Sequence, residues 1–144
     1  MSKRVPHAHT YWTSIPFADE VEKPPVVYLS APYVSFYRGK SKARWLAAKM
    51  CNKIMNKGYV VFCYNVFAGG VTHHTQRIKT PEQWMNQRLT ILKRFDEVWV
   101  YQLEGWDKSN AVKAEIEFAK NNNIPVKYMT MGGDLHASEF GGTT

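Results

Sequence analysis

The sequence predicts an α/β fold, a parallel sheet of four to five strands with helices on both faces. Three observations predict it. Short apolar runs alternate along the chain with longer segments whose apolar residues recur every three or four positions. The short runs are continuous rather than alternating, as in strands covered on both faces. Glycine, proline and asparagine punctuate the boundaries between them.

Residues 1–24 show no period and mix Tyr11, Trp12 and Phe17 with Pro6, Pro16 and the first of the Pro24-Pro25 pair, which reads as an irregular arm packed on the domain. Val26 to Ser30 is the first buried strand, ended by Ala31-Pro32, and a loop follows to Gly39. From Ser41 to Lys57, Ala43, Leu46, Ala47, Met50, Cys51, Ile54 and Met55 mark one helix face, with Gly58 as its stop. Tyr59 to Val66 reads as a second strand, and residues 67–80 as a long loop holding Gly69-Gly70 and His73-His74. Thr80-Pro81-Glu82-Gln83 has the form of a helix start with a capping box, continued by Trp84, Met85, Arg88, Leu89, Leu92 and Phe95. Glu97 to Leu103 is a third strand, 104–108 a tight loop, and Ser109 the cap of a helix carrying Val112, Ile116, Phe118 and Ala119. Ile124 to Met129 is a fourth strand, and 132–144 a Gly-rich, flexible tail. Strand and helix in alternation make right-handed βαβ units, a Rossmann-like or flavodoxin-like arrangement.

The chain of 144 residues has the size of one domain. No stretch nears the roughly 20 apolar residues of a membrane span, and no apolar signal core follows the basic N-terminus. A cytoplasmic protein with no membrane partner is expected. Cys51 and Cys63, the only cysteines, read as buried thiols. His7, His9, His73 and His74 match no metal-ligand spacing, so neither a metal nor a cofactor is expected. The net charge of +7 fits an anionic partner, but equally fits lysines coating helix surfaces. A nucleic-acid-binding module, resting on charge alone, is the least favoured class.

In open α/β sheets, ligands bind beyond the carboxyl ends of the strands. Loops 30–39, 65–80 and 104–109 reach that edge, so a pocket should be bordered by residues from 30–37, 65–74 and 104–115. The helix opening at Ser109 offers free N–H groups and a positive dipole end, suited to a phosphate or carboxylate. Trp106 is the candidate for stacking on a ring, whereas Trp84 reads as core. Glu115 lies six residues after Ser109, in the second turn of that helix.

Tyr28-Leu29-Ser30-Ala31-Pro32-Tyr33, with Gly105-Trp106, Ser109 and Glu115 at strand ends, resembles the nucleoside 2-deoxyribosyltransferase-like superfamily. That group includes deoxynucleoside 5′-monophosphate N-glycosidases and short bacterial and phage relatives. The resemblance spans roughly residues 26–130, and places the domain at 25–131. It implies strand order 2-1-3-4 with a possible fifth edge strand, and at least a homodimer. It further implies a nucleoside or nucleotide ligand whose N-glycosidic bond is hydrolysed or exchanged. Glu115 would be the nucleophile that attacks the anomeric carbon, by the retaining route. Tyr33, lying past the strand end, is favoured as the tyrosine that orients it. Substrate contacts would come from Tyr28, Ser30, Pro32, Gly105, Trp106, Asp107, Ser109 and Asn110.

The sequence departs from the family pattern at Arg88. It stands eight residues before Asp96, where the family usually has an acid. A cation there cannot serve as the second carboxylate; it suits a phosphate, or Glu115 itself. The alternative expectation is therefore a protein that binds a nucleotide or nucleotide signal without turning it over.

Overall fold

A computed structural model describes residues 25–36, 38–74 and 80–138. The arm expected over residues 1–24 lies outside the described residues. Among them the chain forms β1 (Val26–Ser30), α1 (Lys40–Asn56), β2 (Val60–Phe62), α2 (Tyr64–His74), α3 (Pro81–Leu92), β3 (Glu97–Tyr101), α4 (Asn110–Asn121), β4 (Val126–Met129) and β5 (Leu135–His136). The sheet order is β2-β1-β3-β4-β5. The first four strands are parallel, and β5 pairs antiparallel with β4. No helix among the described residues is long and apolar enough to cross a membrane.

Strand parity sorts the core into two layers. Val27, Leu29, Trp99 and Tyr101 pack with Ala43, Ala47, Met50 and Ile54 of α1. Tyr28, Val98, Val100 and Tyr128 pack on the other face with Leu92 of α3 and Val112 and Ala119 of α4. Tyr28 and Ser30, two apart on β1, therefore share the face toward α4.

The fold corrects the sequence reading in two places. The apolar run from Tyr59 is a strand only to Phe62, and the segment expected as a loop is α2. The reason is tertiary. The Asn65 amide donates to the carbonyl of Ala31 at 2.7 Å, which holds the start of the helix against the end of β1. Gly69 is a packing glycine within the helix: a Cβ there would sit 2.4 Å from Cδ of Arg44. The segment 132–144, expected as a flexible tail, contains β5, which is the fifth edge strand that the resemblance allowed for. It is turned back by the Thr130 N–H bond to the carbonyl of Asp134 at 2.8 Å.

Gly105 locks two loops of the carboxyl edge together. Its φ is 95°, a left-handed conformation, and a Cβ would lie 2.6 Å from the carbonyl oxygen of Ser35. The Ser35 hydroxyl donates to the Gly105 carbonyl at 2.8 Å. Gly105→Ala should therefore cost on the order of 1–3 kcal/mol, from backbone strain and displacement of the Ser35 loop. Urea denaturation would measure this as a lower midpoint at unchanged slope.

Candidate functional site at the carboxyl edge

The end of β1, the start of α2, the inner face of α3 and the start of α4 surround a cleft with two adjoining lobes. One lobe, of about 360 Å³, runs between Tyr33 to Ser35 and the α4 N-terminus at Ser109 to Ala111. The other, of about 370 Å³, extends toward Lys40, Ala68 and Gly69. Tyr33, Val34, Asn65, Trp84 and Arg88 border both. Larger hollows of about 400 and 510 Å³ lie along α3 and along α4, lined largely by exposed polar side chains. They lack the buried charged pair described next.

Under the cleft lies Glu115, only 1% exposed. Its position follows from helix geometry: Val112, Glu115 and Ala119 form the buried stripe of α4 that faces the sheet. The Ser30 hydroxyl donates to Oε1 at 2.5 Å, and the Tyr28 hydroxyl donates to Oε2 at 2.5 Å. Arg88 Nη1 also donates to Oε2, at 3.0 Å. A buried charge is tolerable only when so paired and hydrogen-bonded. The Arg88 guanidinium stacks over the ring of Tyr64 at 4.6 Å, and its Nη2 makes a long 3.4 Å bond to Oδ1 of Asn65. Its buried Nε has no hydrogen-bond partner among the described residues.

Electrostatics follow from this packing. Burial pushes the Tyr28 phenol well above its usual range, and the adjacent Glu115 raises it further. Burial would weaken the hold of Arg88 on its proton, but Glu115, together with Tyr28 and Tyr64, more than offsets this, and its pKa is raised. Tyr28 carries a prediction for alkaline pH. Its pKa rises on folding, so its contribution to stability is complete below about pH 10 and is lost as pH climbs through the folded value. Tyr28→Phe should therefore show a shallower loss of stability above pH 10 than the native chain. Denaturant midpoints between pH 8 and 11 measure the difference.

The expected site residues fall into three groups. Glu115, Tyr28, Ser30 and Arg88 form one bonded cluster. Tyr33, Ser109 and Asn110 border the cleft above it. Ser109 is buried, and its hydroxyl oxygen caps α4 by accepting from the N–H of Val112 at 3.2 Å. Tyr33, favoured above as the orienting tyrosine, instead stands at the wall of the cleft beneath the Lys40 ammonium, 5.8 Å from its ring centre. The tyrosine hydroxyl on the carboxylate is that of Tyr28. Pro32 is buried behind the cleft lining, and Gly105 sets the backbone turn. Trp106 and Asp107 do not border this cleft. The short 3₁₀ turn Trp106–Lys108 carries Trp106 against Tyr128, 5.8 Å between ring centres, in the hollow along α4.

Asn65 and Lys108 border the cleft within the expected ranges 65–74 and 104–115, whereas Trp84, which reads as core from the sequence, borders it from outside them. Trp84 had a sequence signal: it lies four residues before Arg88, on the same helix face. The signal for Asn65 is its place at the carboxyl end of the second apolar run, although it stands there on a helix and not on a loop. The side chains of His73 and His74 lie outside the described residues. Among those described, no cluster of three or more potential metal ligands occurs.

The chain is an α/β domain of the open-sheet class with a charged cluster under a cleft at its strand ends, the edge at which ligands bind in such sheets generally. Residues 25–131 match the model of DUF1937, a family described as a domain of unknown function, and the chain belongs to that family. No curated protein matches the chain.

Proposed function

We propose that this protein acts on the N-glycosidic bond of a nucleoside or nucleotide, with Glu115 as nucleophile. The observation that carries the proposal is Glu115 itself, a carboxylate held under the cleft by the hydroxyls of Tyr28 and Ser30. A pocket that only gripped a ligand would not need a buried carboxylate aligned by two hydroxyls. The paired sequence motifs that contain these residues, shared with the nucleoside 2-deoxyribosyltransferase-like superfamily, support the same reading.

On this reading the two carboxylate oxygens have different roles. Oε2 takes two donors and Oε1 only one, so Oε1 is the less encumbered oxygen and the attacking one. It would bond to the anomeric carbon as the bond to the base breaks, forming a glycosyl ester that water or a second base resolves. The N-terminus of α4 at Ser109 to Ala111, with Lys108 beside it, suits an anionic group on the sugar.

A second reading has its own observation. Arg88 pairs with Glu115 at 3.0 Å, which ties down the carboxylate. Among the described side chains that border the cleft there is no carboxylic acid to protonate a departing base. On this reading the chain binds a nucleotide and does not cleave it. Incubation with deoxynucleosides and their 5′-monophosphates, assayed for free base and for binding by calorimetry, separates the two. Release of base establishes the enzyme, binding without release the binder. Neither outcome would remove both.

A further inference from the structure

We infer that Arg88 is the group that receives the departing base, and that the substrates are nucleotides whose base leaves as an anion spread over ring carbonyl oxygens, as uracil and thymine do. The inference rests on the glycosidase reading and deepens it. When the bond between the anomeric carbon and the base nitrogen breaks, its electron pair goes to the base. Either an acid protonates that base or a cation accepts its negative charge. No carboxylic acid or imidazole borders the cleft among the described side chains, whereas Arg88 borders both lobes. A guanidinium does not give up its proton at working pH, so it serves by charge and hydrogen bonding alone.

The placement of Arg88 fits this role. In retaining glycosidases the second catalytic group stands about 5–5.5 Å from the nucleophile. Arg88 stands closer, with Nη1 3.0 Å from Oε2 of Glu115, which leaves Nη2 and Nε as its remaining nitrogens. Those nitrogens have capacity to spare: Nη2 makes one long bond, and Nε none among the described residues. Stacking on Tyr64 holds the plane in place, and a planar fork of N–H groups matches a carbonyl oxygen bearing negative charge. A base such as cytosine, with one fewer carbonyl to take up the charge, leaves less readily without a proton.

The step balances as follows. Oε1 of Glu115 bonds to the anomeric carbon, the base departs with the electron pair, and Arg88 donates hydrogen bonds to the base anion. Water then opens the glycosyl ester, returning the carboxylate and leaving a sugar hydroxyl. The proton released from that water goes to the base.

The test is single-turnover release of base from 5-fluoro-, unsubstituted and 5-methyl-2′-deoxyuridine 5′-monophosphate and from the deoxycytidine analogue. The rate should rise with the acidity of the leaving base, roughly tenfold or more from methyl to fluoro. The cytosine substrate should be slower by about a hundredfold or more. Arg88→Gln should slow the methyl substrate more than the fluoro one, since the poorer leaving group needs the cation more. Equal rates across the native series, or cytosine released as fast as uracil, would overturn the inference alone. So would an equal loss on every substrate in a folded Arg88→Gln chain. If that variant does not fold, the native series decides. No release from any member overturns the glycosidase reading, and this inference with it.

Discussion

Glu115→Gln is expected to abolish base release, by at least about a thousandfold, while the fold survives. An amide oxygen is a far weaker nucleophile than a carboxylate oxygen, and no described carboxylate borders the cleft to take its place. The fold survives because the surrounding donors can adapt. The amide oxygen can take the Oε2 position, where Tyr28 and Arg88 both donate, since a guanidinium has no acceptor to offer in exchange. The amide nitrogen then faces Ser30, whose hydroxyl can rotate to accept. Glu115→Ala is different. It leaves a buried guanidinium and two buried hydroxyls without their acceptor, and should cost about 3–5 kcal/mol of stability. The measurement pairs free-base assays with thermal denaturation. A Gln variant that folds and still releases base at the native rate would remove Glu115 from the chemistry. An Ala variant as stable as the native chain would mean that the cluster is not closed in solution.

The fold was legible where the signal is local. The Thr80 capping box predicted from four consecutive residues forms as written, with Gln83 N–H on the Thr80 hydroxyl at 3.1 Å and the Thr80 N–H on the Gln83 side chain at 2.8 Å. Ser109 caps α4 for the same reason. The α2 helix was not legible, because its start is fixed by the contact of Asn65 with the carbonyl of Ala31, thirty-four residues away in sequence. The central cluster was partly legible. Glu115 stands three after Val112 and four before Ala119, the spacing of an inward stripe, yet a charged residue there also reads as solvated. The choice between tyrosines turned on proximity to the strand end, which favoured Tyr33. Strand parity was the better guide, since Tyr28 and Ser30 face the same side, and that side is covered by α4. Trp106 was misplaced because the direction of a side chain after a left-handed glycine depends on the turn that follows, which composition does not encode.

Arg88 and Glu115 should prove strongly coupled in stability. Their side chains are 12% and 1% exposed, so both charges lose most of their hydration on folding. Arg88→Met leaves the carboxylate with hydroxyl donors only, and Glu115→Met leaves the guanidinium unpaired; each should cost about 3–5 kcal/mol. The double variant removes both charges and fills the space with flexible apolar chains. It leaves only the hydroxyls of Tyr28 and Ser30 without an acceptor, about 1–3 kcal/mol each if they stay dry. The double variant should therefore be at least about 2 kcal/mol more stable than the sum of the single losses predicts. Urea titration of the native chain, the two single variants and the double variant measures this. Simple additivity would show that the two side chains do not interact in the folded chain. Strong coupling, with a double variant that folds but neither binds nor cleaves a nucleotide, would show that the pair is kept for the chemistry of the cleft. Replacing a buried ion pair by well-packed apolar side chains is often neutral or stabilising, so apart from the two hydroxyls stability alone gives the chain little reason to bury two opposite charges under its cleft.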